Sequence, residues 1–179
     1  MKLTIASQYS PDLAAELIRG RLDAAFMRRE KQAEGLAYQR VLAEPLFVVF
    51  PSDHRLASQE AVDLPEIVGE TFIIPSNTAP VLHSLIAGYL ERSGLDIKPA
   101  HEVDNLAHAV SMVASTRAVM LMPAYARNLL PWSVTSRPLR GNAPTIDLVI
   151  GYNKANRSPI LELFLSRLDD IAAAQPHRP

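Results

Sequence analysis

Two short polar stretches and one arginine are the residues whose types and spacing could do chemistry in this chain. Ser7-Gln8-Tyr9-Ser10 stands at the start of one helical pattern, and Ser76-Asn77-Thr78 at the start of another. Each offers hydroxyl or amide donors beside the peptide N–H groups that a helix start leaves without intrahelical acceptors, and the helix dipole adds partial positive charge there. Such a combination holds anions, small carboxylates among them. Arg28 follows directly on the carboxyl end of a short apolar run, where its guanidinium could pair with a carboxylate. The same residues have plainer uses. Ser10 and Thr78 are good N-caps whether or not anything binds. Arg29 beside Arg28 makes a surface charge run an equally fair account.

Other chemistries find little support. His54 has no ligand partner at helical or hairpin spacing and reads as a solvated turn histidine. His101 and His108 flank Glu102 and Asp104, but the first falls on a predicted strand and the second on a predicted helix, so they share no face. The 179 residues include no cysteine, which excludes disulfides, thiolate metal sites and a cysteine nucleophile. There is no Gly-x-Ser-x-Gly elbow, P-loop or Gly-x-Gly-x-x-Gly turn. No enzyme activity, metal or cofactor is therefore expected. Net charge is −1, without the clustered Lys and Arg of a nucleic-acid surface, and Tyr89 and Trp132 are isolated rather than a stacking platform. The N-terminal residues lack the apolar core of a secretory signal and no apolar run would span a bilayer, so a cytoplasmic protein with no membrane partner is expected.

The elements that must position these residues alternate between strand and helix. Residues 2–6 read as a strand. A helix follows with Ser10 as N-cap and Pro11 in its first turn, an apolar stripe of Leu13, Leu17, Ala14 and Ile18, and Gly20 as the C-terminal stop. Residues 22–27 then read as a short strand buried on both faces, completing a strand–helix–parallel strand crossover. Residues 28–40 read as a surface loop and 41–50 as an apolar strand. Beyond it come a short helix over 63–69, a strand over 71–74, a helix over 79–93 ended by Gly94, and a strand over 97–103. Asp104 or Asn105 caps the next helix, whose buried face is Leu106, Ala109, Val110 and Val113. Strands over 119–122, 132–139 and 146–152 and a closing helix with Leu161, Phe164, Leu165, Leu168 and Ile171 inward complete an α/β chain. With 48% hydrophobic residues it has material for a packed core.

The wording of particular segments goes further. A helix ending Leu17-x-x-Gly20-x-Leu22-Asp23, followed by a strand, resembles the effector-binding domain of LysR-type transcriptional regulators. A strand ending Pro51-x-x-His54-x-Leu56-Ala57 is a second mark, and Asp63-Leu64 before Gly69 matches a third. Thr116 and Ala118 depart from the family's Gly-x-Gly. The resemblance implies two Rossmann-like lobes of the type 2 periplasmic-binding-protein kind joined by two crossover strands, lobe one being residues 1–50 with 150–179 and lobe two 51–149. It implies that the first strand and helix of lobe one are missing, along with the winged helix-turn-helix, so the chain is read as N-terminally truncated, with weak or no effector binding on its own. It implies an interlobe cleft where Gln8, Tyr9, Ser10, Arg28, Ser76, Asn77 and Thr78 contact an aromatic or other small carboxylate effector. It implies homodimers or tetramers through this domain, and DNA contact only through the absent domain. The alternative is a solute-binding protein of an uptake system on the same two-lobe fold, against which the first two marks argue.

Overall fold

The structure, a computed structural model, describes residues 4–31 and 33–168. The chain divides into two compact units, Met1–Ala43 with Asp147–Pro179, and Glu44–Ile146. Two strands pass from one unit into the other, β2 (Leu36–Pro51) and β7 (Thr145–Asn153).

The first unit contains α1 (Ser10–Ile18), β1 (Ala25–Met27), the start of β2, most of β7, and α4 (Pro159–Leu165). α1 ends as its sequence predicts. Gly20 takes φ +68°, its N–H reaches the Leu17 carbonyl at 3.1 Å, and the Arg21 N–H reaches the Glu16 carbonyl at 2.9 Å, which closes the last turn as a Schellman motif. Leu13, Ala14 and Leu17 pack with Ala25, Met27, Leu36 and Val149 in one cluster, while Ile18 stays outside it. Gly151 serves close approach rather than a special turn, since a Cβ there would lie 2.9 Å from Met27 Sδ and 3.1 Å from Tyr38 Cε1.

Several expectations for this unit change. The strand expected over 2–6 is irregular and exposed at Thr4, Ile5 and Ala6, and Lys2 and Leu3 lie outside the described residues. A strand needs a neighbour to complete its ladder, and no strand of the described residues pairs with this segment. Among the described residues, 4–6 take no part in a parallel crossover. β1 instead lies antiparallel to β7, with Ala25, Phe26 and Met27 opposite Gly151, Ile150 and Val149. It is buried on alternate residues only, with Phe26 outward. The expected loop over 28–40 ends early, because β2 already begins at buried Leu36. In α4, Leu161 is buried, as is Leu168 just beyond it, but Phe164 stays 38% exposed and meets Phe26 edge-on at 6.4 Å. Ile171 lies outside the described residues.

In the second unit β2 continues between two antiparallel partners, β5 (Val119–Pro123) and β6 (Val134–Pro138). β3 (Phe72–Pro75) lies parallel to β5 on one side and to β4 (Pro99–Val103) on the other. The apolar runs of these strands are continuous because both faces of the sheet are covered. Val48, Phe50, Phe72, Ile74 and Leu121 pack with Ile86 and Leu90 of α2 (Pro80–Ser93). The alternate residues Val49, Ile73, Met120 and Met122 pack with Ala109 and Val113 of α3 (Leu106–Thr116).

Two of the marked segments have a structural account. His54 is not a solvated turn residue but is only 9% exposed. Its Nδ1 accepts the Leu56 N–H at 3.3 Å, its Nε2 lies 3.4 Å from Glu70 Oε2, and its ring rests 5.1 Å from that of Phe50. The 3₁₀ turn Arg55–Ser58 needs an acceptor at its start while Leu56 sinks into the core, and His54 supplies it. At the second segment neither Thr116 nor Ala118 needs a glycine's conformation. The left-handed residue is Arg117 between them, at φ +58°.

Candidate functional site

In the first unit the expected N-cap bond of Ser10 is replaced by another. α1 begins at Ser10, Tyr9 takes the N-cap position, and no side chain caps the turn. Ser10 Oγ accepts the Arg28 peptide N–H at 2.9 Å, which fastens the end of β1 to the start of α1. Acting as acceptor there, the hydroxyl keeps its own proton for a second partner. Pro11 has no N–H, so Ser10 and Asp12 carry the outward peptide donors of the first turn, and the Asp12 carboxylate beside them opposes an anion. Gln8 and Tyr9 are exposed and Arg28 is half-buried. Ser10 and Arg28 are thus brought together.

Beyond Arg28 lie two polar groups that sequence reasoning did not single out. Glu30 Oε1 and Tyr38 Oη are buried without a hydrogen-bond partner. Burial pushes the Glu30 carboxyl up. Burial likewise raises the Tyr38 hydroxyl, the Glu30 charge adds to the shift, and the Arg29 guanidinium, 5.5 Å from the ring centroid, works against it.

In the second unit the parallel pairing of β3 with β4 sets Pro75 opposite Val103, so the loops that leave the two strands meet. The Ser76 N–H reaches the Val103 carbonyl at 2.8 Å. Ser76 Oγ donates to Asp104 Oδ1 at 2.7 Å, and Thr78 Oγ1 donates to the Asp104 carbonyl at 3.0 Å. The two hydroxyl oxygens stand 2.9 Å apart, and the Thr78 N–H reaches Ser76 Oγ at 3.3 Å. Thr78 does not cap α2. Ala79 holds the N-cap position with no side-chain bond, which leaves the Val81 and Leu82 peptide donors facing outward. Asn77 is exposed at the tip. Of the two candidate caps of α3, Asn105 does the capping, accepting the His108 N–H at 2.9 Å. Asp104 holds the loop instead. Its sequence position hid this, because only the β3–β4 pairing brings it to Ser76.

His101 and His108 are both exposed, and no group of three or more His, Cys, Asp or Glu among the described residues could hold a metal ion. An open apolar groove between α3 and the segment 129–133, lined by Leu106, Val110, Leu129 and Pro131, contains none of the expected site residues. No helix among the described residues is long and apolar enough to cross a membrane.

Comparison with known proteins bears on both units. The family model for the LysR substrate binding domain matches residues 1–173. The Hca operon transcriptional activator HcaR of Escherichia coli K12 is 27% identical over 160 residues, covering 87% of this chain and 53% of the relative. The HTH-type transcriptional regulator CatR of Pseudomonas putida is 27% identical over 148 residues, covering 82% of this chain and 51% of the relative. The chain thus spans about half the length of these curated relatives. Among solved structures, the BenM effector binding domain with its effector benzoate superimposes with a TM-score of 0.80 at 20% identity, covering 93% of this chain and 76% of that one. The effector binding domain of QuiR in complex with shikimate gives 0.78 at 17% identity, covering 92% and 78%. These likenesses establish the mixed α/β, periplasmic-binding-protein-like fold.

Proposed function

The chain belongs to the LysR substrate-binding domain family, and on that premise we propose that it is the effector-sensing domain of a LysR-type transcriptional regulator. The family match along residues 1–173 carries the reading. Its two compact units are the two lobes of such a domain. The ligand class is a small carboxylate. Benzoate and shikimate, held by the BenM and QuiR domains, are both of this kind, and the donor chemistry of this chain suits it. In the first unit Gln8, Tyr9, Ser10 and Arg28 are the ligand contacts. The retained Ser10 proton and the Arg28 guanidinium supply what a carboxylate needs. In the second unit the contacts come from the loop segment Ser76-Asn77-Thr78 and the helix start it leads into.

Ligand acts by population shift, favouring one arrangement of the domain and so biasing how subunits assemble. Assembly is as a homodimer or tetramer, in the cytoplasm. DNA contact is made by protein outside these 179 residues, and no catalytic step is assigned. The named relatives are regulators, which favours this reading over an uptake-system binding protein.

Thermal unfolding with and without millimolar benzoate, shikimate and related carboxylates tests the reading. A ligand present at about a hundred times its Kd stabilises by about 2.7 kcal/mol, a rise of several degrees. Ser10→Ala should cancel the rise. A cooperative transition that none of the carboxylates moves would count against Gln8, Tyr9, Ser10, Arg28 and the 76–78 loop as a sufficient ligand site in this chain.

A further inference from the structure

We propose that Asp104 is the positioning residue of loop 76–78, taking both hydroxyl protons of the loop so that it meets a ligand through N–H donors rather than through Ser76 and Thr78. The proposal rests on the effector-sensing reading and deepens it at one place.

The argument is a count of protons. Each hydroxyl carries one. That of Ser76 is directed at Asp104 Oδ1 at 2.7 Å, and that of Thr78 at the Asp104 carbonyl at 3.0 Å. The Ser76 proton is spent on the carboxylate, so across the 2.9 Å contact between the two oxygens it is Thr78 that shares its proton, between the Asp104 carbonyl and Ser76 Oγ. One lone pair of Ser76 also receives the Thr78 N–H at 3.3 Å. An anion approaching these oxygens meets acceptors only. The donors that the segment still offers are the exposed Asn77 side-chain amide and the peptide N–H groups of Val81 and Leu82 at the uncapped start of α2.

Asp104 makes this arrangement stiff. Ser76 is 9% exposed and its peptide N–H is already bound to Val103. The charged acceptor fixes its side chain by a bond about twice as strong as a neutral one. Asn77, between two fastened residues, is then presented at a defined angle. Without the carboxylate the Ser76 hydroxyl would turn to Thr78 Oγ1, or to solvent, and the tip would lose its orientation.

Calorimetric titration of the 179-residue chain with shikimate and with benzoate, paired with thermal unfolding of each variant, tests this. Asp104→Leu should raise Kd about tenfold, the loss expected for one hydrogen bond to a charged group. Asp104→Asn keeps an acceptor oxygen and should stay within about threefold of the unaltered chain. Ser76→Ala should cost about as much as Asp104→Leu, and the double variant no more than either, because the pair acts as one unit. Should Asp104→Leu fail to fold, Ser76→Ala, which removes the same bond from its other end, makes the comparison with Asp104→Asn as its control. A Kd unchanged while the melting temperature falls would make Asp104 merely structural and overturn the proposal. Tighter binding in Asp104→Leu would also overturn it, since the freed Ser76 hydroxyl would then be the better donor. If neither compound binds the unaltered chain, the proposed ligand site of this chain fails first and takes this inference with it. Binding that Asp104→Leu leaves untouched defeats this inference alone.

Discussion

The two units meet their polar and apolar obligations to different degrees. In the second, sheet residues pack on both faces, in two clusters. Its turns are closed by side chains: His54 on Leu56, Glu66 on Asp63, Asn105 on His108, and Asp104 on the 76–78 hydroxyls. Among its described residues the first unit has a single cluster, around Leu17. Ile18, Phe26, Ile160, Leu163 and Phe164 are large apolar side chains left between 38% and 62% exposed. Glu30 and Tyr38 each bury an oxygen without a partner. Ser10 and Ser76, both beside the start of a helix, express the same contrast at one atom. Ser76 gives its proton to Asp104, whereas Ser10 uses only a lone pair, on the Arg28 N–H. The second unit ties the polar groups of its loops to its own residues, although it too exposes large apolar side chains at Val68, Tyr125, Leu129 and Trp132, whereas the first leaves buried oxygens unpaired.

The largest test of this contrast is in the cores. Leu17 and Phe50 are both fully buried, one in each unit. Leu17→Ala should cost about 2–5 kcal/mol and Phe50→Ala about 3–5 kcal/mol. If the units differ as described, native-state hydrogen exchange should separate them. Leu17→Ala should abolish protection in α1, β1 and the outer part of β7 while β3 and β5 stay protected. Phe50→Ala should lower protection in both, because β2 runs through each unit. Uniform loss in Leu17→Ala would show one cooperative unit and remove the distinction.

The second unit was also the more legible in sequence, for a physical reason. Its strands are buried on two faces and so read as unbroken apolar runs, such as Phe72-Ile73-Ile74 and Val119-Met120-Leu121-Met122. The amphipathic spacing of α2 and its left-handed stop at Gly94 were equally plain. In the first unit β1 is short and buried only on alternate residues, and Thr4, Ile5 and Ala6, part of a strand-like pattern, find no strand partner among the described residues. Site residues were legible as types but not as bonds. Ser10 and Thr78 looked like N-caps because local spacing favours that, and tertiary partners, the Arg28 N–H and Asp104, claimed both. His54 looked solvated because nothing in its neighbourhood of sequence announces Glu70 or the Phe50 ring.

Two glutamates sharpen the contrast by their opposite response to pH. Glu66 is held below the usual carboxylate range, first by the Gln59 side-chain amide and then by the Asp63 N–H. A lowered folded pKa stabilises above the unfolded value, and the gain is lost as pH falls through the folded one. Glu30 is raised by burial. Its ionised form therefore destabilises the fold at neutral pH, and that penalty disappears as pH falls through the raised value and then the unfolded one. Glu66→Gln should lower the melting temperature at pH 7. Glu30→Gln should raise it, because the amide carries no charge to desolvate. Both differences should shrink towards pH 3 in a series of melting curves. A loss of stability in Glu30→Gln at pH 7 would mean that the carboxylate is satisfied, and the first unit would look as closed as the second.

The smallest expected effect concerns a place where the second unit is itself imperfect. Arg117 closes α3 in the left-handed region at φ +58°, a conformation that costs a non-glycine residue about 1 kcal/mol. Its compensation is an ion pair with Asp53 at 3.0 Å, in which both side chains are more than half exposed. The pair is real enough to hold the Asp53 carboxyl below its ordinary range, through the Arg117 hydrogen bond before its charge. Exposed pairs of this kind nonetheless contribute little to stability and are screened by salt. Arg117→Gly exchanges the pair for a relaxed backbone, offset in part by the greater freedom of glycine in the unfolded chain. The melting temperature should rise by about 2 °C, with a larger rise in high salt, where the lost pair matters least. Asp53→Asn removes the pair and keeps the strain, so it should lower the melting temperature slightly at low salt and not at all at high salt. If Arg117→Gly instead destabilises at every salt concentration, the turn draws more from the arginine than its exposed ion pair explains.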